Sequence, residues 1–297
     1  KNSFNIWKDR LIISSDIFFT ESDKKGISSP YLTPRYPYER MFDENGNALA
    51  TVKDLRESFV KSIDTDQMLD WSYYPANELR ADRIITGTDY RLNHRIEGKI
   101  MPGLNVSADY LFQKGTQDNR RHYLSSSYYV RNLINTFTQR DKATDQLTRP
   151  IALGDILDQD NSRYTNKSGR VQLNFDKQYG KHQIHALAGF EIRDYKTESS
   201  SDRRYGYDPE TGISANNAMD FSKEFPQYYG YGSSRIAARV ANSGAIDRNR
   251  SLYFNGSYTF NNIYTLSASA RRDESNLFGV KTNQKGVPLW SIGGLWH

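Results

Sequence analysis

The sequence has 297 residues and a formal net charge of +5, from 40 basic and 35 acidic side chains. Its mean hydropathy is −0.78, and no run approaches the roughly 18 apolar residues of a membrane helix, which excludes a helical membrane protein. Cysteine is absent, which excludes disulfides, thiolate zinc sites and a cysteine nucleophile. The weak and dispersed positive charge argues against nucleic-acid binding. No signal peptide is recognisable after Lys1, so we expect a processed or excised piece of a protein.

Alternation of apolar and polar residues predicts about nine β-strands and no helix. Two less regular strands come first, and a hairpin with a connection at 101–103 follows them. Two further hairpins have the clearest alternation, with short connections at 177–181 and 261–263. In chain order the predicted strands cover 3–7, 11–19, 91–100, 105–112, 170–176, 183–193, 252–260, 264–271 and 289–296.

Charge is confined to one face of the five best-patterned strands. The charged side chains all fall on the polar face and none falls on the apolar face: Asp109, Arg170, Asp176, Glu191, Arg193 and Arg271. A basic side chain that faces lipid near the bilayer centre costs about 2–4 kcal/mol, so a barrel wall requires this segregation. A soluble β-sandwich also keeps charge out of its core, so the segregation alone leaves both architectures open.

Loop lengths favour the membrane barrel. The short connections alternate with long polar stretches at about 21–90, 113–167 and 197–249. Compact soluble domains rarely contain structureless loops longer than about 15 residues, whereas outer-membrane barrels combine short periplasmic turns with long extracellular loops. We therefore predict an all-β fold: a segment of an antiparallel up-and-down transmembrane β-barrel with long extracellular loops. A soluble or surface-attached β-rich module that binds carbohydrate or protein remains the alternative, and a plug-less porin or adhesin barrel is a second one.

Three stretches carry a family resemblance. The run YTLSASARRDESNLFG at 264–279, followed by VPLWSIGGLW at 287–296, resembles the SusC/RagA family of TonB-dependent outer-membrane transporters. The stretches LNFDKQYGKHQIHALAGFE at 173–191 and YPYERMFDENGN at 36–47 are similar to further motifs of that family. The sequence departs from the family pattern at Glu274, where the family usually has glycine, and the arginine-proline order of the 36–47 motif is broken.

The resemblance implies a barrel of more than twenty strands, closed by an N-terminal plug and capped by a SusD-like surface lipoprotein. Such transporters import oligosaccharides or peptides across the outer membrane of Gram-negative, Bacteroidetes-type bacteria, powered through TonB. Residues 1–297 would then be part of a single barrel domain that lacks the plug and the remaining strands. Alone, the nine strands would leave two unpaired edges, which a membrane does not tolerate.

No catalytic arrangement is recognisable, so we expect neither an enzyme nor a cofactor. His182 and His185 fall on opposite faces of a strand, which disfavours a shared metal ion, and no other metal site is predicted. The segment from Asp43 to Asn47 is expected to be a turn, since it lacks the later ligands of a calcium loop.

The candidate functional residues fall into three groups. Loop aromatics are predicted to stack on a sugar or peptide substrate, or else to pack the loops together: Tyr128, Tyr129, Tyr228, Tyr229 and Tyr231. Charged strand residues are predicted to face the lumen, or to form a cross-strand charge network: Asp109, Glu191, Arg193 and Arg271. Apolar residues are predicted to face lipid or to form an aromatic girdle: Phe175, Phe190, Phe254, Tyr258, Phe260, Tyr264 and Leu266.

Overall fold

Nine strands form one antiparallel sheet in the part of the chain that the structure describes. A computed structural model describes residues 2–7, 10–27, 29, 38–80, 82–276 and 286–296. The strands are β1 (Asn2–Ile6), β2 (Leu11–Ile27), β3 (Asp82–Met101), β4 (Leu104–Tyr123), β5 (Asp155–Tyr179), β6 (His182–Tyr207), β7 (Ala241–Phe260), β8 (Tyr264–Ser275) and β9 (Gly286–Trp296).

Strand order in the sheet is the order along the chain, from β1 to β9. Each strand pairs antiparallel with its predecessor. This up-and-down arrangement confirms the predicted fold class and the predicted number of strands. Two additional pairs of very short strands lie in the loops, Gln139–Arg140 with Leu147–Thr148 and Glu224–Pro226 with Ser233–Arg235.

The short connections lie where the sequence places them, and their residues suit tight turns. Asn261 and Asn262 adopt φ values of 53° and 56°, the left-handed region that asparagine tolerates best among residues with a side chain. Gly103 has φ +88°, and a Cβ there would lie 2.5 Å from the carbonyl oxygen of Asp176. Only glycine therefore fits that turn.

One face of the sheet carries a continuous belt of apolar side chains. Phe190 on β6 lies between Val171 on β5 and Leu252 on β7. The large side chains of this face are solvent-exposed in the nine-strand sheet, among them Leu173, Phe190, Ile192, Leu252, Phe254, Tyr258, Phe260, Tyr264, Leu266, Trp290, Ile292 and Trp296. We call this surface the apolar belt. The other face carries the polar residues, because side chains alternate along each strand.

The height of the apolar belt matches a bilayer. On β6 this face is free of charge from Ile184 to Ile192, about 26 Å along the strand at about 3.3 Å per residue. A strand tilt of about 40° reduces that length to about 20 Å, comparable to the apolar band of about 25 Å on outer-membrane barrels.

The border of the apolar belt on the side of the long loops crosses the strands obliquely. From β4 to β8 the first charged residue beyond the belt moves toward the short turns, although it stays at the same level between β5 and β6, where Lys167 and Asp194 pair in register. These residues are Lys114 on β4, Lys167 on β5, Asp194 on β6, Arg250 on β7 and Arg272 on β8. Lys114 on β4 pairs in register with the polar Thr165 on β5, whereas Arg272 on β8 pairs with the apolar Leu252 on β7, which belongs to the belt. Such a stagger is what strands tilted against a membrane plane require.

The long strands continue well beyond the predicted boundaries, and this corrects the predicted loops. Loops expected at 21–90, 113–167 and 197–249 instead begin after Ile27, Tyr123 and Tyr207 and end before Asp82, Asp155 and Ala241. Above the apolar belt both faces of the sheet are polar, so the alternation that marks a strand disappears. Residues 199–201 illustrate this, because all three are serine and yet pair along β5.

The absence of helix was predicted, and the structure corrects that expectation. The loops contain α1 (Glu57–Lys61), α2 (Pro75–Glu78), α3 (Tyr128–Phe137) and a 3-10 turn at Asn216–Ala218. No helix in the described ranges is long and apolar enough to cross a bilayer. The quoted motifs at 36–47 and 264–279 extend to Tyr36, Pro37 and 277–279, which lie outside the described residues.

Candidate functional site

The three long loops fold together over one end of the sheet, and we call this layer the loop cap. It consists of residues 38–80, 124–154 and 208–240. Its two hydrophobic clusters join all three loops, since Val130, Ile134 and Phe137 pack with Phe225 and Ile236, and Met68, Trp71, Tyr73 and Tyr128 pack together with Tyr228 and Tyr229.

Helix α3 is the centre of the loop cap. The Ser127 hydroxyl accepts a hydrogen bond from the backbone N–H of Val130 at 3.3 Å, which caps the first turn. The carboxylate of Glu78, fully buried, accepts the N–H of Tyr128 at 2.7 Å. An anionic group at a helix N-terminus also interacts favourably with the helix dipole. The first loop thus fixes the start of α3.

Polar side chains of α3 hold the first loop through its backbone. Arg131 donates to the carbonyl oxygens of Ser126 at 3.2 Å and of Ser72 at 3.1 Å, and also to that of Asp70. Asn135 donates to the carbonyl of Leu69 at 2.7 Å and accepts the N–H of the same residue at 3.2 Å. Burial lowers the pKa of Arg131, although nearby Asp70 opposes that effect. These bonds supply hydrogen-bond partners to backbone groups of residues 69–72, which form no regular secondary structure.

The third loop closes on the same helix. The N–H of Tyr228 donates to the carbonyl of Thr136 at 2.9 Å, and the amide of Gln139 donates to the carbonyl of Pro226 at 2.8 Å. Trp71 lies between the loops, with its ring 5.9 Å from that of Tyr228. Its indole N–H donates to Asn132 at 2.7 Å. The loop cap is therefore one packed unit.

A cavity of about 200 Å³ opens beside Trp71 in the first loop. Trp71, Tyr73 and Tyr128 form its aromatic side, and Val52, Lys53 and Leu55 contribute to the rest. The Lys53 ammonium lies 5.2 Å from the centre of the Tyr73 ring. Burial, followed by the charges of Glu78, Glu39 and Asp54, raises the pKa of Tyr73 to about 12. The lining also includes Lys53, Asp54, Glu57 and Lys61, so the cavity combines an aromatic side with charged groups.

A network of ion pairs lies where the loop cap meets the sheet. Asp158, with no exposed surface, accepts bonds from Arg203 at 2.6 and 2.8 Å and from Arg239 at 2.8 Å. Asp160 pairs with Arg121 and, at 3.3 Å, with Arg239. Burial acts to raise the pKa of Asp160, but a hydrogen bond from Ser201 and the charges of both arginines outweigh it and hold the pKa below its usual value.

The predicted loop aromatics occupy different environments. Tyr128 is 1% exposed, so its ring mainly packs the loops and reaches a solute only at the edge of the cavity beside Trp71. Tyr129, Tyr228 and Tyr229 are partly buried, and the Tyr129 ring lies 4.7 Å from that of Tyr123. Tyr231 is 82% exposed. Of the five predicted substrate contacts, this tyrosine has the most free surface.

The four charged strand residues share the polar face, as predicted. Glu191 accepts a bond from Arg170 at 3.1 Å, and Asp109 pairs with Arg95 at 3.4 Å. Arg271 pairs with Asp273 at 2.7 Å, and Arg193 donates to Asn166 at 3.2 Å. Glu191, Asp109 and Arg193 thus make contacts between neighbouring strands, whereas Arg271 and Asp273 both lie on β8.

The loop cap lies over that same polar face. Tyr123 and Tyr205, buried beneath the cap, have the same parity along their strands as Asp109 and Glu191, and no bulge intervenes. Because side chains alternate, all four lie on one side of the sheet. The loops therefore fold over the polar face and leave the apolar belt uncovered.

The residues predicted to face lipid all lie on the face of the apolar belt. Phe190, Phe254, Tyr258, Phe260, Tyr264 and Leu266 are exposed, and Phe175 is partly buried. Phe260 pairs in register with Tyr264 beside the short turn, and the His182 ring lies 5.2 Å from that of Phe260. His185 lies on the opposite face, where it pairs in register with Ser257.

The residues that organise the loop cap are not apparent from local sequence patterns. No such pattern marks Arg131, Asn135 or Trp71, and the segment of α3 is predicted as loop. Ser127 followed by apolar residues at 130, 134 and 137 is a helix signal with an N-cap. Asp43 accepts the N–H groups of Asn45 at 2.9 Å and of Asn47 at 2.7 Å, as the predicted turn requires. The described residues contain no cluster of three potential metal ligands.

Comparison with known proteins identifies the fold. No protein-family profile matches the sequence, and no curated protein matches it. Among solved structures, the RagAB peptide importer in its closed-closed state aligns with 99% of this chain at 15% identity and a TM-score of 0.62. Another structure, of the RagAB peptide transporter, aligns at 15% identity with a TM-score of 0.61.

The chain has the fold of a β-barrel segment of a TonB-dependent transporter. It spans 29% of the matched importer chain. The importer in its open-open state gives the same result, with 98% of this chain aligned at 14% identity and a TM-score of 0.61. At this level of identity the similarity establishes the fold, and the importer's activity does not transfer with it.

Proposed function

We propose that this chain is a wall segment of a TonB-dependent outer-membrane transporter that imports oligosaccharides or peptides. The observation that supports the proposal most strongly is the combination of the transporter fold over 99% of the chain with an uncovered apolar belt. In this proposal the bacterium is Gram-negative and of the Bacteroidetes type. A SusD-like surface lipoprotein covers the transporter on the side of the loop cap. TonB acts through a plug domain that is not part of these 297 residues.

The apolar belt supports a membrane location over a soluble module. Monomeric soluble proteins rarely expose contiguous apolar patches of more than a few hundred square ångströms. Here exposed apolar side chains extend across neighbouring strands from Phe190 through Leu252 and Phe254 to Trp290 and Ile292. A soluble β-sandwich would have to cover that face with a second sheet, and the loops fold over the opposite face instead.

The open sheet supports a barrel larger than nine strands. Within the described residues β1 and β9 each pair on one side only. A bilayer does not tolerate unpaired strand edges in its apolar core. We therefore propose that both edges pair with further strands, and that Asp109, Glu191, Arg193 and Arg271 face the lumen.

In this proposal the loop cap forms part of the extracellular vestibule. Tyr231, with Tyr229 beside it at a ring distance of 6.4 Å, presents aromatic surface on which an apolar sugar face or a peptide side chain can stack. Tyr128, Tyr129 and Tyr228 would hold that surface in place. A substrate cannot be named from these residues, because aromatic rings bind sugars and peptides alike.

The first experiment is extraction of the full-length native protein from outer membranes in detergent, followed by intact mass measurement of it and its copurifying partners. We expect a chain several times heavier than the 34.3 kDa of this segment, together with a lipoprotein. A folded 34.3 kDa species that needs no detergent would contradict the proposal and favour the soluble binding module. A heavy barrel with neither plug nor lipoprotein would favour a porin or adhesin.

A further inference from the structure

The face of the sheet that carries the apolar belt changes character above it. Across β4 to β8 the side chains next to the belt are mainly basic: Lys114, Arg163, Lys167, Lys196, Arg248, Arg250 and Arg272. Fewer acidic residues share these rows, namely Glu21, Asp194, Glu198 and Glu274. We call this surface the basic border. It lies outside the lumen in the arrangement proposed above.

Two arginines of the basic border, Arg248 and Arg250, line an open cavity of about 430 Å³ between β6, β7 and β8 together with Asp194 and Glu274. Arg248 contacts Asp194 at 2.9 Å, and Arg272 contacts Glu274 at 2.9 Å. Arg250 also pairs with Glu274. The side chains of Arg248, Arg250 and Arg272 are nevertheless 64%, 65% and 59% exposed.

This arrangement leaves donors for an anionic ligand. A guanidinium carries five N–H donors in a planar fork that matches phosphate, and one carboxylate contact uses only some of them. Arg248 and Arg250 line the cavity with Asp194 and Glu274, and two further cations lie beside it, since Lys167 pairs in register with Asp194 and Arg272 contacts Glu274. This group of six side chains carries a net positive charge. Ile192 belongs both to the cavity lining and to the apolar belt, which places an anion site at the end of a lipid-facing surface.

A second, larger concavity of about 770 Å³ lies further from the apolar belt on the same face. Its walls carry hydroxyl and amide groups from five strands, together with the charged side chains of Asp118, Arg163 and Glu198; the hydroxyl and amide residues are Thr86, Thr88, Thr116, Asn161, Ser200 and Asn242. The Thr88 and Thr116 hydroxyls are 2.7 Å apart. Glu198 lines this groove and Asp194 lines the arginine cavity, so the two sites are separated by about 13 Å along β6 at about 3.3 Å per residue.

We propose that the outer face binds a phosphorylated glycolipid of the outer leaflet, of the lipopolysaccharide type. The three surfaces follow one another in the order of that lipid's parts. Acyl chains lie on the apolar belt, phosphate groups in the arginine cavity, and sugars in the hydroxyl-lined groove. Basic pockets at the edge of a membrane span are typical sites for anionic headgroups. The inference depends on the proposed membrane location of the chain.

The test uses the full-length protein in detergent, stripped of lipid and then titrated with defined probes under native mass spectrometry. The probes are a bisphosphorylated acylated disaccharide, its dephosphorylated form, and inorganic phosphate. The variant is Arg248→Gln with Arg250→Gln and Arg272→Gln. Its matched control is Arg95→Gln with Arg170→Gln, which removes two arginines from the opposite, polar face.

We expect the triple variant to retain the bisphosphorylated lipid at least tenfold more weakly than the wild type, and the control to retain it equally. The dephosphorylated lipid should bind the wild type at least tenfold more weakly. Equal retention by wild type and triple variant, or of both lipids, would overturn the inference. Displacement of the lipid by millimolar inorganic phosphate alone would show an adventitious ion site only, which would also overturn it.

A second measurement needs no change of charge. Ile246, 42% exposed, lies between the two concavities on β7, and Ala245 faces the opposite side. A photoreactive benzoylphenylalanine at Ile246 should crosslink to glycolipid in living cells, and one at Ala245 should not. Equal crosslinking at both positions would overturn the inference. If the protein does not fractionate with the outer membrane, the proposed function fails as well; if it does and only crosslinking fails, the lipid site alone is refuted.

Discussion

A few buried polar side chains determine the conformation of the loop cap. Arg131 is 8% exposed and yet bonds to three backbone carbonyls, two of them in the first loop. Asp158, fully buried, connects Arg203 of the sheet with Arg239 of the third loop. Buried polar groups are costly when they lose a partner, so these residues make the packing of the loops cooperative.

Replacement of Arg131 by methionine should release the first loop. The change keeps apolar bulk but leaves the carbonyls of Ser126, Asp70 and Ser72 without this donor, at about 1–3 kcal/mol for each group that stays buried. We expect faster hydrogen exchange and proteolysis in residues 57–80 with the sheet unchanged. Arg140→Met is the control, because Arg140 is exposed and pairs with exposed Asp145. Equal protection in both variants would contradict this role.

Acid should loosen the contact between the third loop and the sheet. The pKa of Asp160 is lower in the folded protein than its ordinary value of about 3.9. Its stabilising effect is therefore complete above about pH 4 and is lost as the pH falls through the lowered folded value. We expect proteolysis near Arg239 by an acid-active protease to increase below about pH 4, and Asp160→Asn to lose this pH dependence.

At the scale of secondary-structure elements, the two parts of each long strand differ in composition. The part near the short turns alternates apolar and polar residues and carries the apolar belt, while the part near the loop cap is mostly polar on both faces. β5 and β6 have 25 and 26 residues, whereas about 9–11 residues suffice to span a bilayer. In the proposed membrane location, the halves of these strands near the loop cap project beyond the bilayer.

Two adjacent positions on β8 test which face meets lipid. Ala268 lies in the middle of the apolar belt on β8, and Ser267 lies on the polar face. Ala268→Arg should destabilise the full-length barrel in lipid vesicles by about 2–4 kcal/mol, whereas Ser267→Arg should cost much less. Unfolding by denaturant measures both. A larger effect at Ser267 would reverse the assignment of the faces.

At the scale of the whole molecule, the two ends of the sheet differ in structure and, by our proposal, in location. The short turns lie at one end, the loop cap lies at the other, and the apolar belt lies between them. This asymmetry is typical of barrels whose short turns face the periplasm.

Single cysteines can test this orientation, because the chain has none of its own. In intact cells a membrane-impermeant maleimide should label Tyr231→Cys in the loop cap, but it should label Lys181→Cys in a short turn only after the outer membrane is permeabilised. Full-length protein with other cysteines removed is required. Labelling of Lys181→Cys in intact cells would contradict the orientation.

The sequence by itself determined the strands that carry the apolar belt, their short turns and the alternation of apolar and polar side chains along them, because a two-residue alternation is a local property of the chain. Only the tertiary structure decided the upper strand ends and the loop cap. Above the apolar belt both faces are polar, so no alternation marks residues such as 199–201. The contacts of Arg131 with Asp70 and of Trp71 with Asn132 join residues 61 positions apart, and no local pattern predicts such contacts.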